Sequence, residues 1–179
     1  MQLFLTIAAM VLIAVLIAVW LSWTANRLDR IHHRIDVARA ALDGQLQRRS
    51  GATLELAATD SLDPPSRLLL LDAAHHARNA EPAELEHAES VLSQLLRAVL
   101  GDAEEVRILR EDPDLAPLVD ELAASCSRVE LARRFHNDAV ASALALRSRR
   151  SVRWMRLAGH AEVPRDVEFD DTPPAPLVE

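Results

Sequence analysis

Residues 3–21, LFLTIAAMVLIAVLIAVWL, run for nineteen positions without a charge, and Thr6 is the one hydrophilic side chain among them. As a helix rising 1.5 Å per residue, the run covers about 28 Å, close to the roughly 30 Å hydrocarbon core of a bilayer. A stretch of that length and composition is expected to span a membrane. A cleaved signal peptide needs a basic start, a shorter apolar core and a small-x-small cleavage site. Here the start is Met1-Gln2, and Ser22-Trp23-Thr24-Ala25-Asn26 offers a poor site. Residues 1–23 therefore read as a retained transmembrane anchor. Arg27, Arg30, Arg34 and Arg39 follow the run and no arginine precedes it. The positive-inside rule then puts the N-terminus outside and the rest in the cytoplasm, a single-pass protein of a bacterial cell membrane. Trp20 and Trp23 fall at the boundary, where indole rings favour the interface. The reversed topology, an envelope-facing adaptor, is the alternative.

Beyond the anchor the chain reads as all-α. Ala and Leu dominate, aromatics make up 3%, and there are four glycines and no tyrosine. Those proportions favour helix over strand. All twenty basic residues are arginine, which reflects codon usage rather than chemistry. Leu28, Ile31, Ile35, Ala38 and Leu42 keep a 3,4 spacing, so the membrane helix is expected to continue to about Leu62. Asp63-Pro64-Pro65 caps and restarts a helix that runs to about Ala80. Glu81-Pro82 opens a third, with Leu85, Ala88, Leu92, Leu95 and Val99 as its seam and Gly101 as its end. Residues 102–112 read as an acidic loop with a helical turn. The last helix opens at Pro113 or Asp114 and buries Leu115, Leu118, Leu122, Val129, Ala132, His136, Ala139, Ala143 and Leu146. The expectation is an antiparallel up-down-up-down helical bundle, coiled-coil-like in its seams, over residues 24–150. A basic amphipathic segment follows over 151–163, and then an acidic, proline-bearing tail over 164–179 that should be disordered.

RIDVARAALDGQLQRR (residues 34–49) and LARRFHNDAV (131–140) resemble the two signature blocks of the LemA family. The order of span, long helix, helical hairpin and long closing helix is similar too. The chain departs from the pattern at His136, where the family usually has Tyr, at Ala25-Asn26, where a Tyr-Asn pair is usual, and in its arginine-rich C-terminal segment. The resemblance implies a membrane-anchored helical bundle and no particular activity.

Candidate sites are few. Glu84-x-x-His87, Asp29-x-x-His32 and Asp72-x-x-His75 have the spacing of carboxylate–histidine metal pairs in bundles. Glu84 and His87 flank the seam residues Leu85 and Ala88, and Asp29 and His32 likewise sit one step off the seam, so no metal is expected. No phosphate loop or nucleophile elbow appears. Cys126 is the sole cysteine, which rules out an intrachain disulfide and a cysteine zinc site. It lies ten residues from His136 on one helix, about 15 Å along the axis, too far for a dyad. No catalytic residue and no cofactor is assigned. Asp36, Asp43, Gln45, Arg133, Arg134, Asn137 and Asp138 fall near the facing seams of the first and last helices. With antiparallel helices, Asp43 stands about 28 Å and Arg134 about 24 Å from the membrane, close enough for a polar lock that fixes register.

Charge is polarised along the chain. The protein is formally −7, yet Arg147, Arg149, Arg150, Arg153 and Arg156 cluster around Trp154 with no acid between them. Residues 102–121 carry eight acids against two arginines. The first and last helices are of near-equal expected length, about 57 and 55 Å, so the arginines should return to the bilayer surface. An anionic inner leaflet selects that polarity. Nucleic acid is not expected as a partner, because the remaining acidic chain would repel it. The acidic end at 102–121 is the expected docking surface for an unknown protein partner, and a homo-oligomer is left open. The functional expectation is a non-catalytic, cytoplasm-facing scaffold or interaction module. The rival is a membrane-tethered metal- or ligand-dependent enzyme.

Overall fold

Helix-forming composition with few breakers yields long helices: α1 Gln2–Ala57, α2 Pro64–Asn79, α3 Leu85–Val99, α4 Ala103–Glu111, α5 Ala116–Arg147 and the short α6 Ala175–Val178. The computed structural model describes residues 1–148 and 163–178, without the side chains of Leu3, Leu5, Ile17, Leu21, residues 24–29, Ile31, His32 and Arg147. All secondary structure among the described residues is helical. Among them, no helix is long and apolar enough to cross a membrane.

Local chemistry explains the helix ends. α1 stops at Ala57, five residues earlier than the seam suggests, because the Thr59 hydroxyl donates to the Leu56 carbonyl at 2.7 Å. Such a bond offers the backbone an alternative to another helical turn. Asp63 caps α2 as expected, its carboxylate accepting from the Ser66 N–H at 3.1 Å, and hydrogen bonding by the Ser66 side chain first and its backbone second holds the pKa below the usual range. The acidic stretch after Gly101 is helix rather than loop. Asp102 accepts from the Glu104 N–H at 2.8 Å, Glu104 and Glu105 occupy the first turn, and Arg110 the last. That order complements the helix dipole, and Arg107 bridges Glu104 and Glu111 along one face. Among the described residues α4 and the short α6 thus join the four helices expected.

The chain divides into two units. The first comprises Met1–Val37 and Asp138–Arg165. In it, every described side chain of residues 1–23 is exposed, while Ala139, Val140, Ala143 and Leu146 are buried along one face of α5. The second comprises Ala38–Asn137 and Asp166–Glu179 and holds the main core. Leu56, Leu70, Leu92, Leu96, Val106, Leu122 and Cys126 bring five helices together there. A smaller cluster joins Leu42, Leu46 and Val129 to Val167 and Phe169. The inner face of α3 is Ala88, Glu89, Leu92, Ser93 and Leu96, with Leu85, Leu95 and Val99 half-buried beside it.

The C-terminal segment corrects the expectation of disorder. Val167, Phe169, Asp171, Pro174 and Leu177 are buried within the second unit. Low hydropathy misled here because Val167, Phe169 and Leu177 join the apolar clusters and the buried Asp171 finds its partner in Arg133.

The glycines separate helix-weakening positions from required ones. A Cβ at Gly44 or Gly51 would meet nothing within 4 Å, whereas one at Gly101 would lie 2.4 Å from the Arg97 carbonyl oxygen. Gly51→Ala should raise stability by about 0.5–1 kcal/mol, and Gly101→Ala should lower it. Leu92→Ala should cost about 2–5 kcal/mol. Thermal unfolding followed by circular dichroism in detergent checks all three.

Candidate functional site

The spacing that leads to Leu42 continues through Leu46, Arg49, Thr53 and Leu56, so Arg49 stands on the buried seam of α1. It is 1% exposed. Its guanidinium pairs with the equally buried Glu89 carboxylate of α3 and donates to the Ser93 hydroxyl at 3.0 Å. Burial pushes the Glu89 carboxyl up, and Arg49 opposes the shift. Among the described residues Glu89 Oε1 and Arg49 Nε find no hydrogen-bond partner, so the pair is held but incompletely satisfied. Leaving such atoms bare costs about 1–3 kcal/mol each.

The C-terminal segment covers this pair. The Phe169 ring centroid lies 6.0 Å from the Arg49 guanidinium and 5.8 Å from that of Arg133, within cation–π reach. Arg133 grips Asp171 through two bonds, Nε to Oδ2 at 2.6 Å and Nη2 to Oδ1 at 3.0 Å. Asn137 takes both backbone groups of Val167, donating to its carbonyl and accepting from its N–H at 3.0 Å each. Arg97 of α3 pairs with Asp170 and donates to the Thr172 carbonyl at 2.7 Å. The bond from Arg97 holds the Asp170 carboxyl below the usual range. Arg110 of α4 donates to the carbonyls of Pro176 and Leu177 at 3.1 and 2.9 Å.

This arrangement replaces the expected lock between α1 and α5. Asp43 pairs instead with Arg39 at 3.0 Å, one turn away on its own helix. Arg134 pairs with Glu130 in the same way, and Asp36 and Asp138 are exposed. Local i,i+4 pairs form without bringing two helices into one register, so they win. Gln45 is half-buried, and Arg133 and Asn137 serve the C-terminal segment. Sequence reasoning missed Arg49, Glu89, Arg97, Phe169, Asp170 and Asp171. Two signals pointed to them: Arg49 on an unbroken seam, and the alternation Val167, Phe169, Asp171 in a stretch otherwise polar.

The remaining candidates stand apart from this site. Glu84, His87, Asp72 and His75 are exposed, and Asp29 and His32 lie outside the described side chains. Among the described residues no group of three or more His, Cys, Asp or Glu could hold a metal ion. Cys126 is buried, and burial pushes its thiol up, away from the reactive thiolate. Trp20 and Trp23 are exposed. The side chains of Arg27 and Arg147, and all of Arg149, Arg150, Arg153, Trp154 and Arg156, lie outside the described residues. In the acidic end, Arg107 pairs with Glu104 and Glu111, Arg110 with Asp120, and Arg128 with Glu121, so much of its charge is balanced locally. No protein-family model, curated protein or solved structure matches this chain. The likeness to the LemA family therefore rests on the two sequence blocks and the order of elements read from the sequence.

Glu89→Ala should destabilise by about 3–5 kcal/mol, because it strands a buried guanidinium. The double variant Arg49→Met, Glu89→Leu should lose far less than the two single changes sum to. Asp170 gives a pH dependence of known sign. Its folded pKa lies below its unfolded one, so its contribution is present above about pH 4 and is lost as acidification passes through the folded value. Asp170→Asn should flatten that acid limb in unfolding curves recorded across the range.

Proposed function

We propose that this protein is a single-pass, membrane-anchored helical-bundle module of LemA type, which faces the cytoplasm and acts by binding rather than catalysis. One observation carries the reading: residues 3–21 lack any charge, and every described side chain of residues 1–23 is exposed. An apolar helix bare on every described side chain needs an apolar surrounding, at roughly 25 cal/mol for each Å² otherwise left in water. Arg27, Arg30, Arg34 and Arg39 on the C-terminal side favour the cytoplasmic orientation. The proposal includes the up-down-up-down order of the long helices, by which Arg147, Arg149, Arg150, Arg153 and Arg156 meet the anionic leaflet. Five arginines there could contribute several kcal/mol, at about 1 kcal/mol each, fading with salt. Binding is favoured over catalysis because the buried Arg49 and Glu89, and the buried Asp171 with the half-buried Arg133, are engaged with one another.

Single cysteines test topology cleanly, since native Cys126 is buried. In intact cells a membrane-impermeant maleimide should label Gln2→Cys, and should reach Glu179→Cys only after permeabilisation. The opposite pattern establishes the reversed topology, and extraction of the protein by alkaline carbonate would refute the anchor. Stoichiometric metal in the purified protein would overturn the non-catalytic reading.

A further inference from the structure

Side chains hold the segment 166–178 as a receptor holds a peptide. Its buried residues alternate: Val167, Phe169 and Asp171 point inward, while Asp166 and Glu168 are exposed. That is the period of an extended chain. Among the described residues no backbone–backbone hydrogen bond joins it to any of helices α1–α5. Asn137 reads its backbone through a paired donor and acceptor, which any extended residue at that position would satisfy. Specificity comes from the neighbours. The Arg49 and Arg133 guanidiniums select an aromatic two residues on from Val167, Arg97 an acid three residues on, and Arg133 a second acid four residues on. Arg110 then takes two carbonyls beyond Pro173 and Pro174, at Pro176 and Leu177. Three rim arginines in a chain of formal charge −7 match an acidic ligand.

We infer that the groove of Arg49, Arg97, Arg110, Arg133 and Asn137 is a recognition site for extended peptides of the pattern apolar-x-aromatic-acid-acid, with the chain's own C-terminal segment as its resident ligand. The partner it fits is a protein presenting such a segment, which gains the groove by displacing the segment bound in cis. This deepens the binding-module reading and rests on it, but its test is independent of the anchor and its topology. A ligand tethered to its own receptor competes at an effective concentration on the order of millimolar, so the unaltered chain should bind a free peptide weakly. Weakening the tethered copy should open the site.

The probe is a fluorescein-labelled synthetic peptide, VPRDVEFDDTPPAPLVE, matching residues 163–179. It is titrated by fluorescence anisotropy against the full-length protein in detergent micelles. The full-length Phe169→Ala, Asp171→Ala variant leaves the groove intact and should bind the peptide at least about tenfold more tightly than the unaltered chain. Adding Arg133→Ala and Asn137→Ala should abolish that gain, and a peptide with the Phe and the paired Asp replaced by Ala should not bind. Far-ultraviolet circular dichroism accompanies each titration. Equal affinity for the unaltered chain and the tail variant overturns the proposal, as does equal affinity for the altered peptide. Loss of helical signal in the tail variant that the peptide does not restore shows an ordinary piece of core, and also overturns it. Tail-exchanged dimers of the unaltered chain that exclude the free peptide would make the groove a self-association site and overturn the separate partner. Failure here would leave the maleimide labelling pattern unchanged.

Discussion

The ion pair between Arg49 and Glu89 is the constraint around which the second unit is arranged, since both groups are 1% exposed and sit on helices forty residues apart in sequence. Removing two charges from water costs several kcal/mol per ion, and only close pairing with added hydrogen bonds offsets it. Ser93 supplies one such bond and Phe169 lays its ring near the guanidinium. Sliding α1 against α3 by one residue would separate the charges inside the protein. The pair therefore penalises alternative registers that apolar seams of Leu and Ala alone would tolerate.

The C-terminal segment follows from the same economy of charge. Arg97, Arg110 and Arg133 project from three helices, and the segment answers them with Asp170, Asp171 and three backbone carbonyls. Its apolar residues close both clusters, Leu177 in the larger and Val167 with Phe169 in the smaller. A stretch of low hydropathy becomes ordered because the bundle provides partners for its acids, not because it carries a core of its own.

Arginine thus has different work in different parts of this chain. In α4 it bridges acids along one exposed face, which turns an acidic stretch into a helix. On α1 it is buried with a carboxylate, and on α3 and α5 it holds a peptide-like segment. The planar, multiply donating guanidinium suits the last two tasks, which a lysine ammonium would perform poorly.

The sequence by itself determined the helical class, the cap at Asp63, the restart near Pro82 and the inner face of α5 from Leu122 to Leu146. These are consequences of local propensity and of periodicity, which involve only neighbours within a few turns. The same spacing already set Arg49 on a buried seam, though its partner Glu89 was hidden among other acids. Tertiary structure alone decided that Arg133 and Asn137 would serve residues 167–171 rather than α1, that Asp43 and Arg134 would pair within their own helices, and that the tail would be ordered. The physical reason is that a charged side chain satisfies itself with whichever opposite charge folding brings near. That choice among many acids and arginines depends on which surfaces meet in space, and no local pattern records it.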